Sequence, residues 1–241
     1  MNRHLVSIAK VSLSISALCA LVAVWAHATG LVDSDYRSWA ATARRCTTAR
    51  AGAGEQRTLD LGWSGSDIIR IKIPVRVHYQ PGPKPQASVS GNTEQVDHVR
   101  LRNDTLESDT LDECFPAESL VVQISGPAVP AWTLNGSSEL ELSDLKQDAL
   151  RITTHGSSRI TANGEVHVLS LEAAGSSRVD LGRLVAQQAS TRLHGSATVD
   201  LAPREDADIS ISGSAVVRLH GAAAARIRSH VSGSGQIIQM P

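Results

Sequence analysis

The sequence predicts an all-β fold, a right-handed parallel β-helix (β-solenoid) with coils of about 19 residues. Three observations carry that prediction. A glycine recurs at a nearly constant interval, aliphatic residues fall into fixed columns relative to it, and polar residues alternate with them at period two.

The recurring glycines are Gly136, Gly156, Gly175, Gly195, Gly213 and Gly233, spaced by 20, 19, 20, 18 and 20 residues. Four places after each stand Leu140, Ile160, Val179, Val199, Val217 and Ile237, all aliphatic. Six places after stand Leu142, Ala162, Leu181, Leu201, Leu219 and Gln239, and two places before stand Leu134, Thr154, Ala173, Leu193, Ile211 and Val231. The positions between are mainly polar, as in Glu139, Arg159, Arg178 and Thr198, or Glu141, Thr161, Asp180, Asp200 and Arg218. Alternation of this kind marks a strand with one buried face. A unit of this length suits two or three short strands joined by bends, with Gly-Ser at a bend. One unit cannot bury its own column, whereas stacked units make each column continuous. The general crossover preference sets the hand as right. Gln239, polar in an otherwise apolar column, marks the place where the ladder should end and be capped. The competing fold is a sandwich of hairpins, but repeats that align residue for residue favour one repeated coil.

Upstream the pattern is less regular. Leu59, Leu61, Trp63, Gly65 and Ile69 fit the template and suggest a first coil from about residue 57. Ile69 to Tyr79 alternates apolar with polar residues, and Pro74 within it predicts an edge strand. Pro81-Gly82-Pro83 reads as a turn, Ala87–Gly91 and Leu120–Gly126 as short strands, and 102–118 as an inserted polar loop.

The first residues read as a targeting segment: Arg3, His4 and Lys10, an apolar run from Val11 to Ala26, then Ala26-His27-Ala28. This predicts a signal peptide over 1–28 with cleavage after Ala28, and no membrane insertion of the mature chain. An uncleaved anchor is the rival, although the apolar run is shorter than the roughly 20 residues that span a bilayer. Residues 29–56 then form a linker, with a short helix expected from Ser34 to Arg45, and 57–241 form the solenoid domain, its regular repeats at 131–241. In an exported chain Cys46 and Cys114 are a candidate disulfide, worth about 4 kcal/mol in the chain-entropy model. Two free thiols are the other reading.

With 23 basic and 24 acidic residues, the chain offers no basic stripe for nucleic acid and no acidic tail. The sharpest candidate for chemistry is Asp180 with Asp200. The repeat puts them in the same outward place of consecutive coils, about 4.8 Å apart in backbone. Such a pair could hold a hard cation or act on a glycosidic bond. Yet Thr161 and Arg218 flank it, an outward aspartate is ordinary on a solvated strand, and Arg218 is placed to neutralise Asp200. His155 and His194 precede repeat glycines with Ala174 between them, too far apart for one metal ion. Glu139 and Arg159 are expected to pair on the surface, and Arg159 and Arg178 to stack as like charges. The serines beside the glycines are bend residues, since no Gly-x-Ser-x-Gly elbow occurs in a strand-to-helix setting. From Thr133 onward there is no Phe, Tyr or Trp, so the repeat lacks the aromatic platforms that sugar and single-stranded nucleic-acid sites commonly use. Trp63, Tyr79 and Trp132 are expected to pack the end of the core.

Trp63-Ser64-Gly65-Ser66-Asp67, Pro74-Val75-Arg76-Val77-His78-Tyr79 and Pro81-Gly82 resemble the opening of the autotransporter adhesin head family, the GIN domain. Ile211-Ser212-Gly213-Ser214 and Val231-Ser232-Gly233-Ser234-Gly235 are similar to that family's Gly-Ser-Gly rungs. Other rungs depart from it, with Ser138, Ser158, Ser177, Ala197 and Ala215 in the third place. The resemblance spans roughly residues 57 to 240. It implies an exported right-handed β-helix-like domain and brings no catalytic residues. The reading is therefore a non-enzymatic cell-envelope module, without a cofactor or metal, that contacts another macromolecule or self-associates. A carbohydrate-active enzyme or lectin using the Asp180/Asp200 face is the alternative.

Overall fold

The computed structural model describes residues 55–109, 120–222 and 224–240. They begin with β1 (Gln56–Asp60), β2 (Ile68–Ile71), β3 (Arg76–Pro81) and β4 (Gln86–Asn92). A single helical turn, α1 (Thr93–Val96), leads to β5 (Val99–Arg102), β6 (Thr105–Ser108), β7 (Val121–Gly126) and β8 (Ala131–Gly136). Four long, bent strands follow: β9 (Glu139–Gly156), β10 (Arg159–Gly175), β11 (Arg178–Gly195) and β12 (Thr198–Gly213). β13 (Val216–His220), β14 (Arg226–Gly233) and β15 (Gln236–Met240) come last.

The long strands are the coils. β9, β10, β11 and β12 pair in parallel, each with the next, and β13 and β14 both continue from β12. β15 then pairs with β13. The result is a β-solenoid of about 5 turns. Its register matches the sequence columns. Leu140 faces Ile160, Ile160 faces Val179, Val179 faces Val199, and Val199 faces Val217. All five are fully buried, each side chain contributing about 1.5–3 kcal/mol relative to exposure.

The glycine column has a geometric cause. Gly156, Gly195 and Gly213 have φ of +124°, +113° and +127°, a region that side chains rarely adopt. A Cβ on Gly156 would lie 2.5 Å from the Gly136 carbonyl oxygen, and one on Gly213 2.5 Å from that of Gly195. Each coil therefore rests its corner on the carbonyl of the coil before it. The following serine ties the corner down: Ser157 N donates to Gly136 O at 3.0 Å and Ser196 N to Gly175 O at 2.9 Å. In the next place Ser138, Ser158, Ser177, Ala197 and Ala215 are all buried, so only small side chains fit. Asn163-Gly164, a dipeptide favoured in hairpin turns, bends β10 within its coil instead; a Cβ at Gly164 would strike the Leu145 backbone.

The N-terminal part departs from the expectations in three ways. β1 is no first coil, because it pairs antiparallel with β4, which pairs antiparallel with β7. Pro74 marks no edge strand. It sits in the corner between β2 and β3, where no ladder hydrogen bond is needed, and both strands are paired on both sides. Part of the expected 102–118 loop is strand, since β6 pairs with β2 and buries Leu106. The expected Pro81-Gly82-Pro83 turn lies where the chain leaves β3 and bends at Pro83–Lys84 toward β4, and the expected strands near 87–91 and 120–126 are present as β4 and β7. Tyr79 and Trp132 are buried and meet edge to face with ring centroids 5.3 Å apart. Trp63 is buried beside them against Gly126, and together the aromatics fill the N-terminal end of the core.

At the other end, β15 is the last described strand of the ladder, and the cap expected from Gln239 is not among the described residues. Gln239 is exposed, and no described strand pairs with the outer edge of β14 or β15. The expected signal peptide with its cleavage after Ala28, the helix at 34–45, Cys46 and Cys114 all lie outside the described residues. Among those described, no helix is long and apolar enough to cross a membrane.

Candidate functional site

The ladder's outward face is continuous across nine strands. One row runs Ser88, Gln123, His78, Glu141, Thr161, Asp180, Asp200, Arg218 and Ile238, each the register partner of the next. A second row two residues away includes Arg76, Glu139, Arg159, Arg178 and Thr198. At about 4.8 Å per strand the face extends nearly 40 Å. The buried columns beneath fix the roots of its side chains.

Asp180 and Asp200 are register partners, as the repeat requires. Their environments differ. Asp200 is held by His220, whose Nε2 lies 2.8 Å from Oδ1, and by Arg218, whose guanidinium donates to Oδ2 at 3.3 Å. Asp180 Oδ1 accepts from the Gly182 backbone N–H at 3.2 Å. Arg218 thus does neutralise Asp200. His220 is the partner that the sequence reading missed. It lies one residue past Leu219, the last aliphatic of β13, at a place that holds histidine once in the repeat, so no column announces it. No group of three or more His, Cys, Asp or Glu close enough to hold a metal ion occurs among the described residues.

Glu139 pairs with Arg76 at 2.8 Å, not with Arg159 as expected. β3 adds a neighbour on Glu139's other side, which the glycine alignment did not contain. Arg159 and Arg178 stand side by side and exposed. His155 and His194 are separated by Ala174, as the alignment required. Beside Ser143 the face dips into a depression of about 410 Å³ bounded by His78, Gln80, Gln86, Gln123, Ser125 and Glu141. His78 Nδ1 lies 2.7 Å from Glu141 Oε2. Beneath it, burial pushes the Tyr79 hydroxyl above the usual phenol range, and that hydroxyl donates to the Pro127 carbonyl at 2.8 Å.

The described residues form a solenoid with a polar sheet face, and comparison with known proteins agrees with the fold. Residues 67–238 match the family described as "Putative auto-transporter adhesin, head GIN domain", and the chain belongs to that family. A solved structure of a putative adhesin from Bacteroides fragilis is similar in fold, with TM-score 0.61 and 15% identity over 78% of this chain and 98% of that one. A putative lipid binding protein from Parabacteroides distasonis also aligns, with TM-score 0.47 and 17% identity over 79% of this chain and 98% of the other. No curated protein matches the chain.

Proposed function

We propose that the protein is an exported, non-catalytic, adhesin-like module that binds a macromolecule along its polar face. One observation carries the reading: nine in-register strands present hydrogen-bonding side chains in rows, and the charged members are largely satisfied by each other. A surface nearly 40 Å long suits a polymer or a protein flank better than a small substrate. Asp200, already held by His220 and Arg218, is poorly placed to ionise a substrate. Arg159 and Arg178 leave guanidinium donors open to an acidic or hydroxyl-rich ligand.

The test is binding to arrayed polysaccharides and extracellular-matrix proteins. Wild type is compared with Asp180→Ala/Asp200→Ala and with Arg159→Ala/Arg178→Ala. Binding without product release, weakened at least tenfold in either double variant with unchanged thermal melting, supports the module. Release of reducing sugar ends touching Asp200 would instead establish the carbohydrate-active enzyme. Fractionation of cells expressing the full chain tests export; retention in the cytoplasm would refute it.

A further inference from the structure

The outward face changes character where the parallel coils meet the antiparallel strands. β3 and β9 stay paired only from Arg76–Glu139 to Tyr79–Leu142. There β9 bulges: Ser143 and Asp144 stand between Leu142 and Leu145, whereas β10 has Asn163 alone between Ala162 and Gly164. Asp144 adopts a φ of +54°, a left-handed conformation uncommon for a residue with a side chain. Its backbone N–H is held by Asn163 Oδ1 at 2.9 Å. Bulges re-aim side chains and recur beside binding sites. This one borders the depression of about 410 Å³, which β3, β4, β7 and β9 wall together. That volume is at the small end of the roughly 300–1,000 Å³ that small-ligand sites occupy.

The lining selects its ligand by chemistry. Gln86, Ser88, Gln123, Ser125 and Ser143 make no side-chain hydrogen bond among the described residues. Each can both donate and accept, and all converge on one hollow. No described lysine or arginine lines it, and its one carboxylate, Glu141, is engaged by His78 at 2.7 Å. An anion therefore finds no cation there, and a cation finds only a carboxylate that already has a partner. An apolar group gains little, because the apolar lining residues Tyr79 and Ile124 are only 1% and 3% exposed. An extended peptide binds by joining a strand edge, and none is open here. β3, β4 and β7 have partner strands on both sides, and only Gln80 and Pro81 run past the β9 pairing.

What suits the hollow is a small, uncharged molecule whose groups donate and accept at once. We propose that it binds a neutral saccharide, one or two sugar rings of a glycan. This names the ligand class for the polar face, and so rests on the reading that the face binds a macromolecule. The aspartate pair takes no part, since Asp180 lies two strand steps beyond Glu141, about 10 Å away. With no exposed aromatic ring to stack on, affinity comes from hydrogen bonds alone. A free disaccharide should accordingly bind with a Kd of about 1 mM.

The test is saturation-transfer NMR on the full chain. Maltose, cellobiose, lactose and mannobiose are the neutral probes, digalacturonate the acidic one and trialanine the peptide. Expected is binding of at least one neutral disaccharide at about millimolar concentration. Gln86→Ala/Gln123→Ala should weaken it about tenfold or more with the melting transition retained, because both side chains are exposed. Asp180→Ala/Asp200→Ala should bind the disaccharide as the wild type does. The proposal is overturned if no neutral disaccharide binds, or if digalacturonate or trialanine binds as well or better. It is equally overturned if the glutamine variant binds unchanged or the aspartate variant loses binding. A macromolecule bound through Arg159 and Arg178, with no disaccharide taken up, would end this proposal and leave the broader reading standing. A disaccharide held by the glutamines, with no macromolecule bound, would do the reverse.

Discussion

The coils from β9 to β12 and the region from β1 to β7 use the same alternating strands, yet they were not equally readable. In the coils each residue's neighbours in space are its counterparts about 19 residues away, so a column in the alignment is a stack in the molecule. In the N-terminal region β4 and β1 reverse direction, and neighbours there share no fixed sequence separation. Periodicity reveals a fold only where the chain revisits the same place by the same route. That difference should also divide the consequences of substitution: by column in the coils, by individual contact at the N-terminal end.

The largest effect is expected at the junction. Trp132 is buried against Tyr79 and donates its indole N–H to the Val129 carbonyl at 3.2 Å. Trp132→Ala should cost about 3–5 kcal/mol in denaturant unfolding; a loss below about 1 kcal/mol would show that the aromatic end does not hold the first coils. Next comes the glycine column. Gly195→Ala combines a positive φ with a Cβ 2.6 Å from the Gly175 carbonyl oxygen, so a loss of about 2–4 kcal/mol is expected. Gly182→Ala, whose nearest neighbour is the movable His220 ring at 3.3 Å, should cost under about 1 kcal/mol. Equal losses would reduce the glycines to generic bend residues.

A gain is expected at Thr191. It stands in an inward column between Leu171 and Ile209, and its buried hydroxyl has no partner among the described residues. Thr191→Val should stabilise the protein by about 1 kcal/mol; destabilisation would reveal a hydrogen bond to that oxygen.

The smallest effect concerns the β5–β6 hairpin. A hydrogen bond from His98 at 2.9 Å, helped by Arg100, holds the Asp109 carboxyl below the usual carboxylate range. Because its folded pKa is depressed, its contribution is complete above the unfolded value of about 3.9. It fades as pH falls through the lower folded value. Carboxyl NMR should place the Asp109 midpoint under that of a free aspartate, and a midpoint at or above it would contradict the contact.

What was legible follows the same division. The buried columns, the strand pairs they imply and the adjacency of Asp180 to Asp200 came directly from the glycine spacing. The Arg76–Glu139 pair did not, because β3 joins the ladder from 63 residues upstream and outside the aligned units. His220 on Asp200 was equally hidden, since a side chain that departs from its column leaves no mark on the columns. Pro74 was misread for a related reason: proline excludes a residue from a ladder, and a corner satisfies that as well as an edge does.

The central claim is that the aligned columns are stacked strands. It is tested most directly by Val179→Asp beside Arg178→Asp. Val179 is fully buried between Ile160 and Val199, and Arg178 is exposed one residue away. Denaturant melts followed by circular dichroism should show a loss of several kcal/mol for the buried charge. That is a large part of the roughly 5–15 kcal/mol that keeps a domain folded. For Arg178→Asp the loss should stay within about 1 kcal/mol. Equal losses, or a larger one at Arg178, would mean that the alternation does not mark an inside and an outside, and that the columns are not a core.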